Sequence, residues 1–338
     1  MKKLTLALTA HVDAGKTTLA EAMLHLAGAV RIPGRVDQGS AAMDYGSQEK
    51  KRGITVFAGE AVLSWNGAVL NLLDTPGHVD FSPETERVLA AADAAVLVVS
   101  GLDGVQAHTL SLWRLLAGRG IPVLIFVSKM DTGRRTSREL LEGIRRSLSD
   151  GCLPAEGLIS PGEDAAMLDE GLLEKFLAGE SLSEADGLSL VRSRKAFPVF
   201  FGSGLREEGV GALLDMLAAL AGETDEAAEK PFGARVYRIS YDEKGNRLTH
   251  FKCIFGALRT RDEIVYTDGR PSEKTAQLRR YTGSRFTQED EITAGSIGAA
   301  VGLSRTRCGD ALGEAGRAAE GFFEPVMSFH LEIGRAHV

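Results

Sequence analysis

Residues 4–18 read LTLALTAHVDAGKTT. The apolar run at 4–9 is strand-sized, a polar loop follows, and a helical pattern runs from Lys16 to Ala27, where Gly28 stops it. A buried strand passing through a Gly-containing loop into a helix is built to hold phosphate. The loop amides and the helix N-terminus cradle anionic oxygens. In such a loop Lys16 reaches the β/γ-phosphates and the Thr17 hydroxyl ligates Mg²⁺. The whole candidate loop is Ala10, His11, Val12, Asp13, Ala14, Gly15, Lys16, Thr17 and Thr18, with Ala10 where the usual pattern starts with Gly.

Three more motifs follow at strand-end positions. Asp74-Thr75-Pro76-Gly77-His78 ends the apolar run 68–73. An Asp there holds Mg²⁺ through water, and Gly77 lets a backbone N–H approach a γ-phosphate. Ser128-Lys129-Met130-Asp131 ends the run 121–127. The Asp131 carboxylate is placed to accept both ring N–H donors of guanine while the Lys129 stem lies along the base, and the wrong base would leave buried groups unpaired. Gly202-Ser203-Gly204 ends the run 197–201 and offers a backbone N–H to the guanine carbonyl. Between the first two motifs lies Arg52-Gly53-Ile54-Thr55, where Thr55 on a mobile loop is expected to close on Mg²⁺ and γ-phosphate.

Composition is that of an ordinary globular protein and excludes other classes. The chain has 338 residues, 44% hydrophobic and 25% charged, enough for two globular domains. Net charge is −7, against a simple non-specific nucleic-acid binder and a DNA partner. The charge is uneven: residues 231–338 carry 16 Lys/Arg against 14 Asp/Glu, so the acid is concentrated before them. No apolar run reaches the roughly 18–20 residues of a membrane helix, and no membrane partner is expected. Three cysteines, Cys152, Cys253 and Cys308, lack CxxC spacing and fit a reducing cytoplasm.

Strands and helices alternate through residue 220, which predicts a doubly wound, mostly parallel α/β sheet covered on both faces. Residues 1–222 form the expected nucleotide domain. The acidic stretch 223–231, ending at Pro231, reads as a linker. Short strand candidates with Gly-containing turns then predict a small β-barrel over 232–318. Ser82-Pro83-Glu84 reads as a helix start, with Ser82 as the capping hydroxyl and Pro83 at the first position. His25, His108 and His250 read as surface or helix-face residues, Trp65 and Trp113 as packing, and Cys253 as a small core residue.

With these motifs in order, the chain resembles the translational GTPases of the elongation factor G superfamily. AHVDAGKTT, RGIT, DTPGHVDF and SKMD carry the resemblance. The interval from Asp131 to Gly202, only 71 positions, lacks the extra subdomain usual in elongation factor G. That short interval, including LLEKFLAGESL at 172–182, is similar to the ribosomal protection proteins of tetracycline resistance. The resemblance implies GTP/GDP and Mg²⁺ as ligands, with Thr17, Thr55 and Asp74 organising the metal. It implies His78 as the catalytic residue orienting the attacking water, with Val12 and Ile54 flanking it. It implies a ribosome-stimulated, monomeric, cytoplasmic GTPase whose partners are rRNA and ribosomal proteins. A housekeeping translocase, a release factor and a non-catalytic guanine-nucleotide-binding fragment are the competing readings.

Three departures qualify the resemblance. Ser128 stands where the family has Asn, so weaker nucleotide binding is expected. Gly204 stands where Ala is usual, which predicts a looser loop. The family continues with three further domains. Here residues 319–338 hold only the start of a third, and the last six residues match a translated sequencing-adapter read-through.

Overall fold

The computed structural model describes residues 1–34, 59–132, 135–266, 268–283 and 285–315. The Arg52–Thr55 motif, with the candidate Thr55, and the stretch 319–338 lie outside the described residues.

The first sheet is α/β, as the alternation predicts. It is built on β1 (Lys2–Ala10), β3 (Ala68–Asp74), β4 (Ala94–Ser100), β5 (Val123–Ser128), β6 (Cys152–Pro154) and β7 (Phe197–Phe201), all parallel. An antiparallel edge strand, β2 (Gly59–Trp65), gives the order β2-β3-β1-β4-β5-β7-β6. β2 returns into β3 through Asn66-Gly67, both at positive φ (44° and 77°), the conformation that a tight hairpin requires of its two central residues.

Side chains alternate across these strands and divide the core in two. Leu6 and Leu8 of β1 and Val96 and Val98 of β4 pack with Leu19 and Met23 of α1 (Lys16–Leu26). Ala7, Leu97 and Val99 face the opposite layer, with Leu112 and Leu116 of α3 (Ala107–Arg119). Each Leu, Val or Met side chain among them, when wholly buried, contributes about 1.5–3 kcal/mol of transfer free energy. Helix α2 (Ser82–Leu89) starts at the expected residue, but Ser82 is not its cap. A 3₁₀ turn at Val79–Phe81 precedes it and Phe81 takes the cap position.

The stretch expected as a linker is structured: β8 (Gly222–Glu223) pairs antiparallel with β1, and Asp225–Ala228 forms a helical turn. Six antiparallel strands follow, side by side in the order Arg285–Glu289, Gln277–Thr282, Ile297–Val301, Arg247–Phe255, Gly233–Tyr241 and Ala311–Gly313, with two small two-stranded sheets beside them. They enclose one core that includes Val236, Phe251, Leu258, Ile264, Leu278, Ile292 and Leu312.

This β-rich part sits directly on the α/β sheet. Leu73, Val88 and Ala91 meet Tyr237 and Ile297 in an apolar cluster. Beside it Glu60 of β2 is buried against two residues of the β-rich part. His250 Nδ1 lies 2.6 Å from Glu60 Oε1, and Arg238 Nη1 lies 3.7 Å away. Ser240 Oγ lies 2.7 Å from His250 Nε2. His250 is therefore an interface residue, not a surface one. Lys3 Nζ donates to Thr293 Oγ1, Ala294 O and Ser296 Oγ at 2.7–2.9 Å, and Lys252 pairs with Asp93. Among the described residues no helix is long and apolar enough to cross a membrane.

Candidate functional site

The strand order places the sequence motifs side by side. β1 lies between β3 and β4, and β5 and β7 follow, so the loops leaving β1, β3, β5 and β7 share one edge. Ligands of such sheets lie outside the carboxyl ends of the strands.

The loop after β1 turns sharply. Asp13 (φ 59°) and Gly15 (φ 91°) are both left-handed, and Gly15 caps α1. The first turn of α1 then presents amide N–H groups with no partner inside the helix. Lys16 Nζ donates to Asp74 Oδ1, and Thr17 Oγ1 donates to Asp74 Oδ2 at 3.4 Å. Asp74 is fully buried and Lys16 nearly so. A hydroxyl and a carboxylate so close are hard oxygen donors suited to Mg²⁺. Among the described residues no cluster of three His, Cys, Asp or Glu side chains could hold a metal ion.

The DTPGH stretch is pinned to β1 by Thr75, whose N–H and Oγ1–H both donate to Leu8 O at 3.1 and 2.7 Å. Gly77 rests on the phosphate-binding loop. A Cβ there would lie 3.5 Å from Ala10 O and 3.8 Å from Val12. His78 is turned outward and half-exposed. Its Nδ1 lies 3.4 Å from Asp80 Oδ2 and accepts the Asp80 N–H at 3.3 Å, and its ring meets Phe81 edge-on.

On the other side of the loop, Ser128 is buried and its Oγ–H donates to Ala14 O, with Val99 O at 3.3 Å. The serine thus braces the phosphate-binding loop with one hydroxyl. Lys129 is left-handed (φ 59°), which turns the chain toward Asp131. Met130 N–H donates to Gly202 O and Gly202 N–H to Val127 O, joining the ends of β5 and β7. Asp131 is largely buried, with Arg206 Nε 3.6 Å from its Oδ2.

Ser203 N–H is committed to Glu208 O, which leaves the Gly204 N–H as the donor this loop offers to a base. Gly204 packs closely on α1: a Cβ would lie 3.1 Å from Leu19 N. The loop is also held by a 2.6 Å contact between Glu207 Oε1 and His25 Nδ1. The glycine thus serves close packing, and the loop is tied rather than loose.

Sequence reasoning missed two neighbours of the site. His108, expected on a helix face, is 8% exposed, and its ring meets that of His11 edge-on with centroids 6.0 Å apart. Burial, then the nearby His11 and His78, hold its imidazole below the usual histidine range. Arg206 has no motif of its own. The buried thiols of Cys152 and Cys253 are pushed up to about 12, which leaves them packing groups, not nucleophiles.

Comparison with known proteins places the chain in a family. The chain is 32% identical over 340 residues to the tetracycline resistance protein TetP of Clostridium perfringens, covering 93% of this chain and 52% of that protein. It is 34% identical to an oxytetracycline resistance protein of Streptomyces rimosus (96% and 54% covered) and 30% identical to elongation factor G of Ureaplasma parvum (96% and 57%). A crystal structure of a protein from Thermus thermophilus superposes with a TM-score of 0.81 at 28% identity, covering 94% of this chain and 55% of that one. The chain thus spans about half the length of the curated relatives it matches. Residues 1–222 match the profile of the elongation factor Tu GTP binding domain, and the chain belongs to that family.

Proposed function

We propose that this chain binds guanine nucleotide with Mg²⁺ and hydrolyses GTP to GDP and phosphate, within a translation factor of the ribosomal protection or elongation factor G kind. The observation that carries the reading is Asp74: fully buried, with Lys16 Nζ and Thr17 Oγ1 both donating to it, on the same sheet edge as Asp131. Residues 1–222 form the nucleotide domain and 232–318 the second domain in this reading.

The residues divide the work by position. Loop residues Ala10 to Thr18 enclose the phosphates, and Lys16 neutralises charge that develops on the β/γ-oxygens. Thr17 and Asp74, with Thr55, would hold Mg²⁺, which would supply further charge neutralisation there. Asp131 accepts the guanine ring N–H groups, Lys129 lies along the base, Gly204 N–H donates to the base carbonyl, and Ser128 keeps the loop in register. His78 orients a water whose oxygen bonds to the γ-phosphorus as the bond to the β–γ bridging oxygen breaks. The water's proton leaves with the phosphate product. His78 must swing inward from Asp80 and Phe81 to do this, and the ribosome supplies the contact that turns it.

Phosphate release from GTP, measured with and without ribosomes, tests the reading. Mg²⁺-dependent release that ribosomes accelerate supports it. Release of phosphate from ATP as fast as from GTP would overturn it, and tight GDP binding with no release under any condition would leave the non-catalytic reading standing instead.

A further inference from the structure

Outside the motifs, one buried cluster bears on the reaction. His108 lies in the first turn of α3, a helix fixed at its start by Gln106 and Thr109 (Gln106 N–H to Thr109 Oγ1, 3.3 Å) and anchored in the core by Leu112 and Leu116. Its ring stands edge-on to His11, at 63° and 6.0 Å. Nδ1 of His108 and Nδ1 of His11 are both shielded from solvent, and neither has a hydrogen-bond partner among the described residues. Two orphaned nitrogens on neighbouring rings are uncommon, because buried polar atoms are normally paired.

We propose that His108 is a positioning residue for GTP hydrolysis: it engages His11 through one bridging water, and so fixes the crest of the phosphate-binding loop against Gly77. This inference rests on the nucleotide-hydrolysing reading above. Two neutral imidazoles are complementary, since each offers one N–H and one lone pair. Engagement selects the His11 tautomer and ring orientation. Burial, then the nearby His11 and His78, lower the pKa of His108, which favours its neutral form.

The crest matters for the γ-phosphate side. Ala10 and Val12, which flank His11, are the residues a Cβ at Gly77 would meet, and His78 follows directly. Lys16, Thr17, Asp131 and Gly204, which would hold the rest of the nucleotide, lie elsewhere along the site. A loose crest therefore harms the γ-phosphate contacts beside Gly77 more than the contacts made to GDP.

The test uses this chain with His108→Leu, which keeps bulk and removes both nitrogens, and His108→Gln, which keeps a donor and an acceptor. The readouts are GDP affinity, GTPγS affinity and single-turnover GTP hydrolysis. His108→Leu is expected to slow hydrolysis by about tenfold or more, the scale of a small misplacement. It should lower GTPγS affinity relative to GDP by about fivefold, with GDP affinity within about twofold of the parent. His108→Gln should restore both to within about threefold. Parental values for His108→Leu would overturn the proposal, as would equal loss of GDP and GTPγS affinity in both variants, the mark of a merely structural role. If the parent binds no guanine nucleotide, the functional reading itself fails. If the parent binds and the leucine variant matches it, only this inference fails.

Discussion

Replacing Ser128 with Ala removes one hydroxyl and isolates its effect on the phosphate-binding loop. Ser128 is 2% exposed, and its Oγ–H donates to Ala14 O, with Val99 O 3.3 Å away. The alanine variant creates almost no cavity, so the loss falls on the two carbonyls. A buried acceptor left without its donor costs about 1–3 kcal/mol. In the free protein the loop relaxes and Ala14 O regains water. On binding, the loop must return to its working shape without the brace, and the cost appears in affinity. At 1.4 kcal/mol per tenfold, GDP affinity should fall by about 5- to 150-fold. Ser128→Cys, nearly isosteric with a weaker donor, should fall between parent and alanine variant. The assay is displacement of a fluorescent GDP at fixed Mg²⁺, with thermal melts of the free proteins alongside. An alanine variant that binds GDP within twofold of the parent would refute the bracing argument, and a melting loss without an affinity loss would assign the hydroxyl to folding alone.

The remaining expectations concern the site and the interface. Asp131→Asn should move preference from guanine toward xanthine nucleotides, read in the same displacement assay. Lys16→Ala and Thr17→Ala should each abolish Mg²⁺-dependent GTP binding in calorimetry, because one removes a phosphate contact and the other a metal ligand. His78→Ala should leave nucleotide affinity within a few-fold but cut ribosome-stimulated turnover by ~10²-fold or more. At the interface, burial and then Arg238 hold His250 below the usual histidine range against the pull of Glu60. Burial pushes Glu60 up, but His250 and Arg238 outweigh it and hold the carboxyl below its usual range. Both groups bind fewer protons folded than unfolded, so stability is full near neutral pH. It falls first below the ordinary histidine value of 6.5 and again as pH drops through the ordinary glutamate value of 4.5. His250→Gln should flatten the upper part of a melting-temperature profile between pH 7 and 5, and an unchanged profile would contradict this assignment.

The α/β fold was legible because its information is local. The run 4–9, the Gly15-Lys16-Thr17 turn and the apolar runs ending at Asp74, Ser128 and Gly202 carry strand, turn and helix signals within a few residues of each other. The β2–β3 hairpin was missed although Asn66-Gly67 stands between two apolar stretches, a signal that was available. The burial of His250 could not be read from sequence. Glu60, its partner, is 190 positions away, and only packing of the β-rich part on the sheet brings them together. His108 hides for the same reason: it meets His11 across two different strand ends. Within the expected linker, the pairing of Glu223 with β1 and the helical turn Asp225–Ala228 were not signalled by its acidic composition. Ser128 read as a weakness from residue type alone, and only the geometry reveals the hydroxyl at the Ala14 carbonyl.

The central claim is a guanine-nucleotide site at one edge of the sheet, with base recognition by Asp131 and phosphate recognition by the loop before α1. Equilibrium competition of GDP and ADP against a fluorescent guanine nucleotide, with Mg²⁺ present, tests it most directly. The account predicts that GDP displaces the probe at concentrations at least ~10³-fold below ADP, the scale on which a site built around hydrogen bonds rejects a ligand that leaves them unpaired. Displacement by ADP at the same concentration as GDP would contradict it.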